Sequence, residues 1–481
     1  MAFPGRILVL GLGAVSRCTL PLLLRHIDAP PGAYTVLDFN PLPDHERWAR
    51  EAGINVVRDR VTQDNLEVLL ADHAGPGDLL LDLAWSIDTI TILDWCRRHG
   101  VRYLNASVEV WDAFEDAERL QPRDRTLYAR QMAIRAMIDR WGSNDGPSAV
   151  VDHGANPGLV SHFTKVALED IAHALLDDEP SGPLAEQVTE ALAEERYNRL
   201  AQLLEVKVIH ISERDTQISR EPKRVDEFVN TWSIEGFYEE SVAPAELGWG
   251  THERRLPPSA QEHLTGPRNQ ICLGRMGCDT WVRSWVPCGE IVGMVIRHGE
   301  AFSISEHLTV VDGHGVPVYR PTVHYAYCPA DAAVASLHEL RMRRYRLQPD
   351  HRVMGDDITS GRDELGVLLM GHRYQSWWTG SLLDIDESRK LVPHQNATTL
   401  QVAASVMAAT RWLIEHPNEG VRLPDELPHR QILADAMPYL GPFVSQATAW
   451  TPLTSWDPAL EPFRRPTDPA DTWQFATFLV D

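Results

Sequence analysis

Lysine is scarce in this chain of 481 residues. Four lysines stand among its 45 basic residues, at positions 165, 207, 223 and 390. Few side chains are therefore available to form a covalent imine with a carbonyl substrate. Long apolar runs are also missing, because no segment approaches the roughly 20 apolar residues that cross a bilayer. These absences argue against an enzyme that holds its substrate on a lysine and against a membrane protein.

An excess of positive charge and closely spaced cysteine pairs are lacking too. The sequence has 45 Lys and Arg against 68 Asp and Glu, a net charge of −23, which disfavours nucleic acid and weakly favours cationic partners. Its six cysteines include no C-x-x-C pair, and the apolar start leads into Arg17 rather than a cleavage site. We expect a cytoplasmic, reduced, globular protein of two domains without a metal.

A glycine turn near the start predicts a dinucleotide-binding domain. An apolar strand runs into Gly11 and Gly13, an amphipathic helix follows, and a second strand ends in Asp38. Gly11 permits a tight turn, Gly13 lets the backbone approach a pyrophosphate, and Asp38 would bind ribose hydroxyls and repel a 2′-phosphate. The pattern therefore favours NAD over NADP. The third glycine of the fingerprint is absent, since Ser16 stands at its position.

Strands and helices continue to alternate after this unit, which predicts a doubly wound parallel sheet of Rossmann type. Ligands bind beyond the carboxyl ends of such strands, where Asp88 and Glu109 stand, so both are candidates to face a substrate. Residues 154–158 form a Gly-Ala-Asn-Pro-Gly loop that is either a plain turn or a holder of Asn156 beside the cofactor. The residues expected to contact NAD are Gly11, Gly13, Ala14, Val15, Ser16, Asp38 and Asn156.

Tryptophans and carboxylates are interleaved in the middle of the chain. Residues 160–206 are predicted to be helical, and an alternating strand then ends near Glu213. Residues 232–249 combine Trp232 and Glu240 with further acids and contain no arginine. Because indole faces attract cations and carboxylates pair with ammonium groups, this composition suits an alkylammonium substrate. The alternative for each single residue is an aromatic core with solvated acids.

The second domain is predicted to be α+β with a mainly antiparallel sheet. Residues 280–287 and 293–312 are expected to pair as hairpin strands that carry His298. An apolar helix near 397–415 is expected to pack against the first domain or another subunit. The predicted limits are 1–155 for the NAD-binding domain, completed by helices from about 385–425, then 156–384 for the catalytic domain and 426–481 for a C-terminal arm.

Ten short segments, spread over nearly the whole chain, carry a family resemblance. They are GLGAVSRCTLPLL, GANPGLVS, HISERDTQ, FVNTWSIEGF, PAELGWGT, VYRPTVHYAY, DELGVLL, QNAT, WTPLT and DTWQF. In this order they resemble the bacterial homospermidine synthases, which belong to the saccharopine-dehydrogenase-like superfamily. The family pattern has a glycine where Ser16 stands and a proline where Val110 follows Glu109. Neither change removes a charged group.

The resemblance implies a redox-neutral transfer of an aminobutyl group with NAD as a prosthetic-like cofactor. One putrescine amine is oxidised to an imine, ammonia leaves as a second putrescine or a spermidine attacks, and the new imine is reduced to a homospermidine-type product. The resemblance also implies roles for single residues. Trp232 would hold the cationic intermediate, and Glu213 and Glu240 would bind ammonium groups or relay protons. Asn156 and His298 would position or protonate the amine, and Asp88 and Glu109 would line the amine entrance.

Two other interpretations stay open from the sequence. A saccharopine- or carboxyspermidine-type dehydrogenase would show net redox turnover and would need an arginine for its substrate carboxylate, which the stretch 232–249 lacks. A non-catalytic NAD-binding sensor would have no turnover to lose when Trp232 or Glu240 is replaced. A homodimer is expected on symmetry grounds. The range of amines accepted, whether putrescine alone or longer polyamines too, is left open.

Overall fold

The first 150 residues alternate strands with helices. The computed structural model describes residues 1–453, 457, 459–460 and 467–480. Its first elements are β1 (Ile7–Leu10), α1 (Ala14–His26), β2 (Tyr34–Leu37), α2 (Pro43–Glu51), β3 (Asn55–Val57), α3 (Leu66–His73), β4 (Leu79–Asp82), α4 (Thr89–His99), β5 (Arg102–Asn105), α5 (Leu127–Trp141) and β6 (Ala149–Val150). Strands β1 and β4 are apolar runs without alternation because both of their faces are buried.

These strands form one parallel sheet in the order β3-β2-β1-β4-β5-β6. The order confirms the predicted Rossmann-type, doubly wound architecture. It reverses between β1 and β4, where the connecting helices leave the sheet towards opposite faces. A crevice therefore opens at the carboxyl ends of these two strands, next to the glycine turn that follows β1.

The remaining chain contributes helices first and then a long succession of strands. The elements up to residue 307 are α6 (Leu159–Asp178), α7 (Pro183–Ala193), α8 (Tyr197–Leu203), β7 (Val208–Asp215), β8 (Ile218–Ser219), β9 (Glu227–Asn230), α9 (Ile234–Val242), β10 (Pro244–Gly248), β11 (Ala260–Glu262), β12 (Gln270–Met276), β13 (Trp281–Val286), β14 (Gly289–Met294) and α10 (Glu300–His307). Those that follow are β15 (Val310–Val311), β16 (Pro317–Tyr319), β17 (Thr322–Cys328), α11 (Asp331–Met342), β18 (Asp350–Val353), β19 (Ile358–Ser360), β20 (Arg362–His372), β21 (Gln375–Asp384), α12 (Ile385–Leu391), α13 (Ala397–Glu415), β22 (Val421–Arg422), α14 (His429–Ala436), β23 (Phe443–Thr448), α15 (Phe475–Phe478) and β24 (Leu479–Val480).

A second, mainly antiparallel sheet dominates this part, as predicted. Its central strands follow the order β11-β12-β10-β17-β7-β20-β21-β23, and β13, β14 and β24 join at one side. The pair β7–β17 is parallel, whereas the other pairs in this sheet are antiparallel. The long strands β20 and β7 lie at its centre, which places the acids at the end of β7 in the protein interior.

The chain returns to the first domain after the second sheet. Helix α13 contacts α1, and β22 adds a parallel strand beside β6. Asn396 caps α13 by accepting a hydrogen bond from the Thr399 amide at 2.8 Å, and its own amide group donates to Thr231. Helix α13 is thus buried against the first domain of its own chain. Among the described residues, no helix combines the length and apolar character needed to span a membrane.

The predicted strand over 293–312 needs correction, and the predicted C-terminal arm and domain limits are not tested. The segment 293–312 is not a continuous strand, because residues Glu300–His307 form α10. The same apolar residues that suggest a buried strand line the buried side of this short helix, and a single apolar run does not distinguish the two. The predicted C-terminal arm, 426–481, lies partly outside the described residues, and the predicted domain limits stay predictions.

Lys165 ties α6 to the segment that follows β22. Its buried ammonium group donates to the carbonyl oxygens of Asp425 and Leu427, at 2.7 and 3.1 Å. We expect Lys165→Met to destabilise the protein by about 1–3 kcal/mol for each carbonyl left without a donor. Calorimetry should show this as a lower unfolding temperature. Lys390→Met, at an exposed position, is the matched control, and equal unfolding temperatures for the two variants would contradict the prediction.

Candidate active site

A cleft opens at the crevice between β1 and β4. Residues at the carboxyl ends of the parallel strands form one wall, and residues of β7, α9 and the segment before α10 form the other. Six acids line it, against two arginines and one histidine. The acids are Asp82, Glu109, Asp152, Glu213, Glu239 and Glu240. This excess of carboxylic acid suits a positively charged ligand.

Glu213 is a buried acid of this cleft, located on the central strand β7. Its Oε2 accepts a hydrogen bond from the amide of Asn156 at 3.0 Å and another from the hydroxyl of Tyr325. Burial raises the pKa of Glu213, and the neighbouring Asp215 carboxylate raises it further, while the bond from Tyr325 opposes them. A carboxyl group with a raised pKa exchanges protons closer to neutral pH, which general acid–base catalysis requires.

The Gly-Ala-Asn-Pro-Gly loop holds Asn156 in a fixed position. The Gly154 amide donates to the carbonyl oxygen of Pro157 at 2.6 Å, and the Leu159 amide donates back to Gly154 at 3.0 Å. Gly158 has a φ of +129°, and a Cβ atom there would collide with the Gly154 carbonyl. Only glycine fits this conformation. The loop therefore presents the Asn156 amide to Glu213 from the start of α6.

Trp232 lies in the connection between β9 and α9 and lines the same cleft. Its indole N–H donates to the hydroxyl of Tyr327 at 3.1 Å, and its ring packs against Phe237 with centroids 5.4 Å apart. These contacts hold the ring in one orientation. An indole so placed beside several carboxylates can stabilise a cation through its face.

His298 stands between two carboxylates. Its Nε2 is 3.1 Å from Oε2 of Glu240, and its Nδ1 is 3.3 Å from Oε1 of the buried Glu300. Burial favours the neutral ring, but the charges of Glu300 and Glu240 outweigh it and raise the pKa of His298 well above its usual value. The two carboxylates therefore favour the imidazolium form of His298 at the edge of the cleft.

Glu239, the neighbour of Glu240 on α9, is the central carboxylate of a buried ion-pair cluster. Its Oε1 pairs with Arg130 at 2.8 Å and with Arg297, and its Oε2 accepts a hydrogen bond from the Trp85 indole at 2.9 Å. Burial opposes its ionisation, but Arg297 and Arg130 hold the pKa of Glu239 below its usual value. The cluster connects α5, α9, the loop after β4 and the segment before α10.

The cleft contains two arginines although the stretch 232–249 has none. Arg130 and Arg297 reach it from distant segments of the chain. Both guanidinium groups are, however, engaged by the carboxylate of Glu239. A substrate carboxylate would have to compete with that ion pair. This ion pairing therefore disfavours a carboxylate-bearing substrate.

The two acids predicted to line the amine entrance have different positions. Asp88 caps α4 by accepting hydrogen bonds from the amide and hydroxyl of Thr91, and it is not among the residues that line the cleft. Glu109 does line it and accepts a hydrogen bond from Ser107 at 2.8 Å. Burial and the charge of Glu239 raise the pKa of Glu109.

The glycine turn after β1 borders the cleft through Val15. Gly11 has a φ of +85°, and the helix that begins at Ala14 has no side chain capping its first amide groups. The Leu12 amide donates to the carboxylate of Asp38 at 2.7 Å, which holds this acid at the end of β2 beside the turn. Ser16 is buried, and its hydroxyl has no hydrogen-bond partner among the described residues.

Two further acids of the cleft, Asp82 and Asp152, are absent from the sequence-based site. Burial raises the pKa of each to about 7. Each follows directly on an apolar run, Asp82 in LLLD and Asp152 in VVD, which is the signal that singled out Asp88 and Glu109. That signal was available for both. Trp85 lies three residues after Asp82, and Arg297 directly precedes His298, so both stand beside marked positions. No comparable local signal marks Arg130 within its helix.

Known proteins match the chain over nearly its full length. Residues 7–150 match the model of the saccharopine dehydrogenase NADP binding domain, and residues 154–446 match that of the saccharopine dehydrogenase C-terminal domain. A homospermidine synthase from Blastochloris viridis is 42% identical, with 99% of this chain and 97% of the relative covered. One from Mesorhizobium japonicum is 39% identical, with coverages of 99% and 96%.

A solved structure shares the architecture. The homospermidine synthase from Legionella pneumophila, solved in complex with NAD, superposes with a TM-score of 0.88 at 35% identity and covers 100% of this chain and 99% of its own. Full-length identity of about 40% to enzymes of one kind, together with the same two-domain architecture, leaves no room for a chance likeness. The chain belongs to the homospermidine synthase family.

Proposed function

We propose that this chain is a homospermidine synthase that transfers the aminobutyl group of one putrescine to the amine of another, or to spermidine, and releases ammonia. The observation that carries the proposal is the convergence of Trp232, Glu213 and the His298–Glu240 pair on one acid-lined cleft beside the glycine turn. That arrangement supplies a face for a cation, carboxylates for ammonium groups and groups that move protons.

The residues of the first domain fit NAD. Uncapped amide groups at the start of α1 and the unpartnered hydroxyl of Ser16 suit a pyrophosphate, and Gly13 has open space around its backbone. Asp38 presents a carboxylate to ribose hydroxyls and would repel a 2′-phosphate. The cofactor contacts are assigned to Gly11, Gly13, Ala14, Val15, Ser16, Asp38 and Asn156. When bound, NAD supplies an oxidant and then a reductant for the substrate carbon, so the reaction has no net redox change.

The protein groups handle charge and protons. Putrescine is a dication, and the amine that reacts must first lose a proton. Glu213, with its raised pKa, accepts that proton, while Asn156 holds the carboxylate in place. The protonated His298 returns a proton to the leaving amine, and Trp232 stabilises the cationic intermediate. Glu109 and Glu240 bind ammonium groups in the cleft.

The proposal extends to assembly and location. The enzyme acts as a homodimer, the commonest closed symmetry for a soluble enzyme. It works in the cytoplasm, where its six free cysteines stay reduced. The first domain spans residues 1–155 and is completed by helices from 385–425, 156–384 form the catalytic domain, and 426–481 form the arm.

Incubation with putrescine and NAD tests the reaction directly. We expect homospermidine by mass analysis and ammonia in equal amount, with no lasting rise in NADH absorbance, because oxidation and reduction cancel within each turnover. A dehydrogenase would instead accumulate NADH in proportion to product. NADH accumulation without homospermidine would reject the proposal.

Glu213→Gln tests the proton acceptor. Because the acceptor works only when ionised, the wild-type rate should rise with pH through the raised pKa of Glu213. The variant should lose about 10²- to 10⁴-fold in kcat and the part of the acid limb that Glu213 causes. Steady-state rates across the pH range check this. Glu262→Gln, at an exposed position, is the control, and an unchanged acid limb in Glu213→Gln would assign the base elsewhere.

Glu240→Gln tests the His298 cation. Removing the carboxylate 3.1 Å from the ring should lower the pKa of His298. In this variant the imidazolium form of His298 loses its proton at a lower pH. The alkaline limb of the kcat profile should therefore move towards neutrality. Glu235→Gln is the control on the same helix, because its side chain pairs with His351 outside the cleft. Identical alkaline limbs in both variants would remove His298 from the role of proton donor.

A further inference from the structure

Trp85 is an exposed ring in the wall of the cleft. It lies in the loop after β4, and 43% of its surface is accessible. Its indole N–H donates to Glu239 at 2.9 Å, and Glu239 is itself held by Arg130 and Arg297. The ring is therefore fixed although nearly half of it is open. A fixed aromatic face loses little conformational entropy when a ligand binds to it.

The surroundings of Trp85 suit an ammonium group. Glu109 lies close enough to Glu239 for the two charges to interact, and its buried Oε2 has no hydrogen-bond partner in the part of the chain that the structure describes. Arg130 and Arg297 pair with Glu239, and their charges also reach Glu109, where they lower its pKa against the effect of burial and so favour its carboxylate form. A carboxylate oxygen without a donor and a fixed indole face are two groups that bind a primary ammonium.

The position of Trp85 distinguishes it from the reacting groups. Glu213 and His298 are buried, whereas Trp85 stands where the cleft meets solvent. An amine that reacts beside Glu213 extends its other end towards the opening. We propose that Trp85 binds the distal ammonium group of the incoming amine and so makes the chain prefer a diamine or longer polyamine to a monoamine as acceptor. This inference rests on the proposed transfer activity.

A competition between acceptors tests it. Putrescine serves as donor and acceptor, and 1-aminobutane, which lacks the distal ammonium, competes as acceptor. Mass analysis gives the ratio of homospermidine to N-butylputrescine in one reaction, so differences in enzyme concentration or in the donor step cancel. We expect Trp85→Ala to lower this ratio about tenfold and Trp85→Phe to lower it less, because phenylalanine retains an aromatic face.

Trp141→Ala is the matched control. Trp141 is also partly exposed and donates its indole N–H to a carboxylate, that of Asp94 at 2.8 Å, but it does not line the cleft. The ratio of homospermidine to N-butylputrescine made by Trp141→Ala should equal that of the wild type. An unchanged ratio in Trp85→Ala overturns the inference, and weaker NAD binding with an unchanged ratio would assign the ring to the cofactor instead. Absence of both products in the wild type would contradict the proposed function itself.

Discussion

The ion-pair cluster centred on Glu239 is the interaction on which the cleft depends. One buried carboxylate engages Arg130 and Arg297 and orients Trp85, and thereby joins elements of both domains. Removing one partner of such a cluster would leave a buried charge uncompensated, which costs several kcal/mol. The cluster also holds both cleft arginines on this one carboxylate, so neither guanidinium group is left without an acidic partner. What the cleft then offers a ligand is carboxylate and indole, which is the chemistry of amine recognition.

Burial of the remaining acids sets their protonation. Glu213, Glu109, Asp82 and Asp152 share the cleft, and burial raises the pKa of each. So many carboxylates cannot all stay ionised in a poorly solvated space without a counterion. A diamine dication supplies that counterion and favours ionisation of the acids around it. Substrate charge and acid protonation are therefore coupled, and the cleft can take protons from the amines that it binds.

The fold was largely predictable because its strongest signals are local. Buried parallel strands appear as unbroken apolar runs, the glycine turn marks the first crossover, and alternating strands mark the second sheet. The prediction of a strand over 293–312 was wrong because the apolar residues of this segment fit a buried strand and a buried helix equally well. The contacts that form α10 come from elsewhere in the chain. For the site, Asn156, Glu213, Trp232, Glu240, His298 and Glu109 all line the cleft, whereas Asp88 caps a helix instead.

By itself, the sequence determined the Rossmann-type domain. It also predicted a preference for NAD from Asp38 and an amine chemistry from an acidic, tryptophan-rich stretch. Those features depend on neighbours along the chain or on residue type. Only the tertiary structure decided which charges meet. Arg130 and Arg297 lie far apart in the sequence, yet both reach Glu239, and Trp85 reaches it from a third segment. Ion pairing and burial depend on distances in space, and residue order along the chain does not specify those distances.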